Sequence, residues 1–176
     1  MICADSELAA LDRAVAKLFA GVPKTKRSGG RTGGLWQSQP DWLKDRDKCT
    51  DRDCLIATYD ERLFDLFTAS RTPTRDYSSQ SNHGSLSILS VGDGWYAFSV
   101  TGLWIGSVPG AVNDTEEYGH FRLVRGKAEQ SPSEDACGWR IERLPRDRWA
   151  FEEIPVPGEY SGCGGVNATA TGIYSR

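Results

Sequence analysis

The hydrophobic pattern of this chain changes its period once, and that change sets the class of fold. In residues 4–69, apolar residues recur at the spacing of one face of an α-helix. After residue 85, they alternate with polar residues, as in strands with one buried face. The stretch 70–84 is polar and has no period, which predicts a linker. The chain is therefore predicted to be α+β, with a helical module at 1–69, a linker at 70–84 and an antiparallel β domain at 85–176.

The first part predicts a bundle of three helices. Asp5 or Ser6 can cap the first helix, because a side-chain oxygen there accepts hydrogen bonds from free N–H groups of the first turn. A second helix is expected over residues 37–48, where Pro40 fits only in the first turn. Asp51 can cap the third helix, which carries an apolar stripe.

The second part predicts a β-barrel or a β-sandwich. Six short segments alternate apolar and polar residues and are enriched in aromatic and β-branched side chains. Gly92-Asp93-Gly94 is typical of a hairpin turn between the first two. Short strands in a run, separated by turns, favour an antiparallel architecture of this kind.

The charge of the chain excludes some partners. Among 176 residues there are 21 basic and 24 acidic side chains, so the net charge is -3. General binders of nucleic acid or of membrane surfaces are usually strongly basic, so both classes are disfavoured. Residues 1–77 hold 13 basic and 12 acidic side chains, whereas residues 78–176 hold 8 and 12. The β domain is therefore the acidic part, and no apolar run approaches the ~20 residues that span a bilayer.

Five cysteines, an odd number, predict disulfides with one thiol left over. Cys137 and Cys163 are expected to pair within the β domain, while three antiparallel helices should bring Cys3, Cys49 and Cys54 to one end of the bundle. These spacings do not match zinc sites, and no metal or cofactor is predicted. Disulfides predict a periplasmic or secreted protein. The chain shows no signal peptide, so we expect further sequence upstream, and that sequence is where a lipid anchor would be attached if there is one.

Three segments of the helical module share a pattern of Cys, Trp and Arg: ICADSELAALDRAVAKLF, QPDWLKDRDKC and CLIATYDERLFDL. In residue type and spacing they resemble the lysozyme inhibitor LprI-like N-terminal domain, a cysteine-stapled helical module of exported bacterial proteins. The resemblance covers roughly residues 1–67. The matching residues are Cys3, Leu8, Leu11, Asp12, Gln39, Trp42, Leu43, Arg46, Asp47, Cys49, Cys54, Leu55, Tyr59, Arg62, Leu63 and Leu66.

The resemblance implies inhibition of lysozyme by binding. Members of the family usually carry a further cysteine upstream of the Cys3 position, which would give the module two bridges. In this chain either Cys49 pairs with Cys54, or Cys3 pairs with one of them. The loop at 21–34 is more Gly-rich and basic than in the family. The ending CGGVNATATGIYSR is similar to the tails of small β domains that follow LprI-like modules and have no assigned activity.

Catalytic motifs are missing from the sequence, which predicts that the protein is not an enzyme. His83 lies in the predicted linker and His120 on a strand, and both are expected at the surface rather than beside a nucleophile. The pairs Glu116-Glu117 and Glu152-Glu153 are expected to be solvated, because adjacent strand residues face opposite ways. The family-motif residues predicted to be structural are Asp12, Gln39, Trp42, Arg46, Asp47, Tyr59 and Arg62.

Aromatic residues and loops of the β domain are candidates for contact with a partner. The large rings exceed what one small core holds, unless the helical half closes over them. The Gly/Pro-rich loops 106–116 and 155–165 are candidate contact loops, whereas the basic loop 24–31 is expected to be a solvated surface loop. The predicted contacts are Trp95, Trp104, Trp139, Tyr160 and Ser161.

These observations predict an exported bacterial envelope protein that binds lysozyme or another peptidoglycan hydrolase without catalysing a reaction. The alternative is a module that binds cell-wall glycan or an envelope protein and leaves hydrolases unaffected. A hydrolase ranks last. The target and the oligomeric state stay open.

Overall fold

The computed structural model describes residues 2–23, 31–81, 83–107, 112–134, 136–158, 163 and 167–176. Within them, three helices precede eight strands in two antiparallel sheets, so the chain is α+β as predicted. The chain forms two compact units. The first unit consists of Met1–Thr74, Leu89–Ala97 and Tyr118–His120, and the second of Arg75–Ile88, Phe98–Glu117 and Phe121–Arg176.

The helices of the first unit are α1 (Ser6–Ala20), α2 (Arg31–Arg46) and α3 (Arg52–Ala69), after a 3-10 turn at Ile2–Ala4. The predicted caps are confirmed. Asp5 accepts from the backbone N–H of Glu7 at 2.9 Å, and Asp51 accepts from that of Cys54 at 2.8 Å. Each cap satisfies an N–H group that has no partner inside its helix.

The predicted start of α2 is wrong, because the helix begins six residues earlier, at Arg31, and contains Pro40 in its interior. Tertiary packing explains the extension. Leu35 is buried, and the Trp36 ring packs on Phe19 of α1 with centroids 4.3 Å apart. Pro40 is exposed, and the helix continues past it although proline donates no backbone hydrogen bond.

The core of the first unit is built from the apolar faces of α1 and α3. Burying a Leu side chain contributes about 2 kcal/mol, so these rows stabilise the helices far more than their intrinsic propensity does. Four residues of the strands belong to the same core, namely Leu89, Val91, Trp95 and Ala97. Its fully buried members include Leu8, Leu11, Leu18, Tyr59, Leu63, Leu66 and Ala97.

The strands follow one another in each sheet in the order of the sequence. The first sheet contains β1 (Arg75–Ser78), β2 (Ser85–Gly92), β3 (Trp95–Ile105) and β4 (Val112–Arg122). The second sheet contains β5 (Lys127–Gln130), β6 (Gly138–Leu144), β7 (Arg148–Ile154) and β8 (Gly172–Tyr174).

β1 lies within the stretch interpreted as a linker. Its residues pair with β2 in antiparallel register, with Arg75 opposite Ile88 and Tyr77 opposite Leu86. Only Tyr77 of the four residues is buried. The strand therefore forms through its pairing with β2, and one apolar residue leaves too little alternation for the sequence to reveal it.

The second unit holds an aromatic core between its sheets. The ring of Phe98 on β3 lies 5.8 Å from Phe121 on β4, 5.0 Å from Trp139 on β6 and 5.7 Å from Phe151 on β7. Inner faces that interdigitate in this way are the arrangement of a β-sandwich.

Two disulfides are present. Cys137–Cys163, the long bridge, joins residues 26 apart in sequence and confirms the predicted pair. Cys49–Cys54, the short bridge, joins residues 5 apart and decides between the pairings left open in the helical module. Because Cys49 and Cys54 are bonded to each other, neither is available to pair with Cys3. The side chain of Cys3 lies outside the described part of the structure.

Candidate functional site

Asp12 on α1 is the centre of a polar network between the three helices. Tyr59 Oη on α3 donates to Asp12 Oδ1 at 2.8 Å, and Arg46 Nη1 on α2 approaches the same oxygen at 3.4 Å. Arg46 also donates to Asp47, at 2.7 Å from Nη2. Burial and the bond to Asp12 raise the pKa of Tyr59 well above its ordinary value, so the phenol keeps its proton as a donor.

Arg62 connects α3 to α2 through a buried guanidinium, with 3% of the side chain exposed. Its Nη2 donates to Gln39 Oε1 at 2.7 Å and to the backbone oxygen of Leu35 at 3.1 Å. Its Nη1 donates to Ser38 Oγ at 3.3 Å. Burial lowers the pKa of Arg62, but a guanidinium stays charged in proteins, so these acceptors are needed to offset its desolvation.

Trp42 lies between the two arginines of this network. Its ring centroid is 5.6 Å from the guanidinium carbon of Arg46 and 5.7 Å from that of Arg62, which is cation–π distance. Its indole N–H donates to the backbone oxygen of Thr58 at 3.2 Å. The seven motif residues therefore direct their polar groups toward one another and toward the helices, a geometry that favours a structural role.

His120 on β4 forms the second polar cluster of the first unit, and its predicted place at the surface is wrong. Only 10% of the side chain is exposed. Nε2 lies 2.8 Å from Glu7 Oε1 on α1, and Nδ1 lies 2.9 Å from Asp60 Oδ1 on α3. The imidazole also stacks on Trp95 with centroids 6.0 Å apart. We call Glu7, His120 and Asp60 the histidine clamp.

The clamp holds a charged imidazolium. Burial lowers the pKa of His120, but the hydrogen bonds to Asp60 and Glu7 outweigh this effect and raise it to about 9. The bond to His120 in turn lowers the pKa of Glu7. Arg52 adds a second cation, because it donates to Asp5 Oδ2 at 2.9 Å and to Glu7.

The clamp is a poor candidate for catalysis or metal binding. Both ring nitrogens donate to carboxylates, so His120 has no free lone pair with which to accept a proton or ligate a metal. The sequence gives no local signal for this arrangement, because Glu7 is 113 residues away. It arises only when the helices and the Tyr118–His120 segment pack in one unit.

A third group of titratable residues lies in the second unit, where Glu117 on β4 interacts with Glu153 on β7. Burial, and then the charge of Glu153, raise the pKa of Glu117 to about 7. Glu153 is held by Thr115 Oγ1 at 3.2 Å and Thr169 Oγ1 at 2.5 Å. The expectation of solvated carboxylates is confirmed for Glu116 and Glu152, which are exposed, and is wrong for Glu117 and Glu153.

The structure removes two of the predicted partner contacts from the surface. Trp95 lies in the core of the first unit and Trp139 in that of the second, so neither ring is available to a partner. Trp104 is partly exposed. Tyr160 and Ser161 lie outside the described residues, as does most of the basic loop, residues 24–30.

Comparison with protein-family models, characterised proteins and solved structures finds no match for the chain. The resemblance to the LprI-like domain therefore depends on the residues quoted above. No helix in the described part is long and apolar enough to cross a membrane. The described residues also contain no group of three or more His, Cys, Asp or Glu that could hold a metal ion.

Proposed function

We propose that this protein is an exported bacterial envelope protein that inhibits lysozyme, or a similar basic peptidoglycan hydrolase, by binding it. The observation that carries the proposal is the convergence of the LprI-like pattern in space. Asp12, Arg46 and Tyr59 form one hydrogen-bonded cluster, and Trp42 joins it to Arg62. Residues scattered over 51 positions thus form one interhelical assembly, as residues of a shared module should.

The disulfides and the charge support the same proposal. Two bridges fit an oxidising compartment, so we place the protein in the periplasm or outside the cell. The net charge of -3 favours encounter with a basic enzyme, and its excess of acid lies in residues 78–176.

Lysis of a cell-wall suspension by a basic C-type lysozyme tests this function. The intact protein should abolish lysis at near-stoichiometric amounts, because a binding inhibitor acts by occupancy. The same protein with its bridges reduced and alkylated serves as the control and should lose the effect. Undiminished lysis in a large molar excess of the intact protein would refute the proposal.

An open groove in the second unit favours glycan binding as the second candidate function. It is lined by amide, hydroxyl and apolar groups, including those of Gln80, Ser81, Thr171 and Ile173. Such groups bind sugar hydroxyls and sugar faces. Retention on purified peptidoglycan, with lysozyme activity unchanged, would favour this alternative over inhibition.

A further inference from the structure

One part of the outer face of the first sheet carries acidic side chains and no basic ones. Phe98 points into the aromatic core, so Ser99 and every second residue after it point outward. Ser99 Oγ donates to Glu116 Oε1 at 3.5 Å, which places the outward side chains of β4 beside those of β3. We call the outward positions of Ser99–Ile105 and Val112–Glu116 the acidic face.

Asp114 and Glu116 are the ionised groups of the acidic face. Both are exposed, and neither has an ion-pair partner among the described residues. The other outward positions hold Ser, Thr, Leu, Ile and Val, so the face contains no Lys or Arg. Along β4 the nearest cations are His120, four residues beyond Glu116 and already paired with Glu7 and Asp60, and Arg122, six residues beyond it.

In the second sheet, exposed acidic side chains are paired with basic ones. Arg140 on β6 donates to Glu129 on β5 and to Glu152 on β7, each at 2.8 Å. Lys127 pairs with Glu142 at 3.2 Å. Cross-strand cations therefore compensate the carboxylates there, whereas no cation of the described residues forms an ion pair with the acidic face.

Two exposed apolar side chains lie at the end of the acidic face. Ile105 ends β3 with 57% of its surface exposed, and Val112 begins β4 with 53% exposed. They are two of the four large apolar residues that the described part of the chain leaves exposed. A protein interface usually combines apolar and polar side chains, and this surface exposes both kinds next to each other.

We propose that the acidic face is the surface that docks on a basic protein, with Asp114 and Glu116 facing its Lys and Arg side chains. Ile105 and Val112 become buried beside these ion pairs. The inference deepens the proposed function and rests on it, with the partner taken as a basic lysozyme. The proposed binding surface does not include the motif residues, because their polar groups are already hydrogen-bonded within the helical module.

Neutralising the acidic face should weaken binding of a basic C-type lysozyme, measured by calorimetry at low salt. We expect the double variant D114N/E116Q to raise the Kd by about 3- to 30-fold, as the loss of two exposed ion pairs predicts. Its salt dependence should also be shallower than that of the parent protein. The matched control E129Q/E152Q removes two acids from the second sheet and should change the Kd less than twofold.

A second pair of variants tests the apolar end of the face. Ile105→Lys places a cation against a basic partner and should weaken binding by more than tenfold. Ile173→Lys is the control, because Ile173 is similarly exposed, at 54%, but lies on β8 of the other sheet. Succinylated lysozyme, which has lost its lysine charges, should bind the parent protein weakly.

The outcomes separate the two proposals. If the parent protein binds and inhibits, and the acidic-face variants match their controls, the docking surface is refuted while the proposed function stands. If it binds without inhibiting, the function fails, and the same variants still decide the surface. If it does not bind lysozyme at all, both proposals are refuted.

Discussion

The histidine clamp makes the stability of this protein sensitive to alkaline pH. In an unfolded chain His120 has a pKa near 6.5, whereas the clamp raises it to about 9. The native state therefore binds a proton more tightly than the unfolded state does. The stabilisation is fully present below pH 6.5 and is lost as the pH rises through 9.

The size of the effect follows from the two pKa values. A rise from 6.5 to about 9 corresponds to about 3 kcal/mol of free energy of unfolding, and the low exposure of the ring leaves little screening to reduce it. We expect the parent protein to lose about 3 kcal/mol between pH 6 and pH 10 through this one group. His120→Gln should remove that dependence and be less stable at pH 6, because Glu7 and Asp60, which are partly buried, would lose the imidazolium that they share.

Urea unfolding at a series of pH values measures the difference between the parent protein and His120→Gln. Comparing the two cancels other groups that titrate in this range, such as Glu117. His83→Asn is the matched control, because His83 is exposed and its φ of 50° suits asparagine. The titration midpoint of the His120 ring, followed by NMR, should lie near 9. Parallel pH profiles for the parent protein and His120→Gln would refute the reasoning.

Three further predictions concern stability. Replacing both cysteines of the long bridge by alanine should lower the free energy of unfolding by about 3.5 kcal/mol, and the same change in the short bridge should lower it by about 2 kcal/mol. The difference arises because a bridge that closes a longer loop removes more entropy from the unfolded chain. Urea unfolding that reverses this order would contradict the prediction. Arg62→Lys should lower the free energy of unfolding by about 2–4 kcal/mol in the same assay, because an ammonium group cannot reach all three acceptors on α2. Arg71→Lys is the control, because Arg71 is exposed. Glu117→Gln should stabilise the protein by about 1–2 kcal/mol at pH 8 and have little effect near pH 4. The pKa of Glu117 is raised from 4.5 to about 7, so its carboxylate destabilises the native state only when the pH is above 4.5. An equal effect of the substitution at both pH values would show that the carboxyl is unperturbed.

Features that depend on neighbouring residues were predictable from the sequence. Asp5 and Asp51 cap their helices because the acceptor and the N–H groups lie within three positions. The alternation after residue 85 identified strands, since period two is a property of the backbone itself. The pairing of Cys137 with Cys163 followed from their place in one β domain.

Features that depend on distant packing were not predictable in the same way. α2 begins early because Leu35 and Trp36 pack against other parts of the first unit, and this contact outweighs two glycines and a proline inside the helix. His120 has the flanking pattern of any strand residue, and only the fold brings Glu7 and Asp60 to its ring. The raised pKa of Glu117 has the same origin in contacts across sheets.

The use of polar groups in each unit bears on where recognition occurs. In the helical module, Asp12 on α1 accepts from residues of α2 and α3, and Arg62 on α3 donates to acceptors on α2. Substituting either residue would therefore disturb folding before it disturbed binding. A family pattern of this kind marks a scaffold, and it says little about which surface meets a partner. The acidic face has the opposite property, because Asp114 and Glu116 repel each other and, apart from the long bond from Ser99 to Glu116, no bond within the described residues holds them. If the proposed docking is correct, the partner supplies the missing cations, so variants of that face should alter affinity and leave the unfolding free energy unchanged or slightly higher.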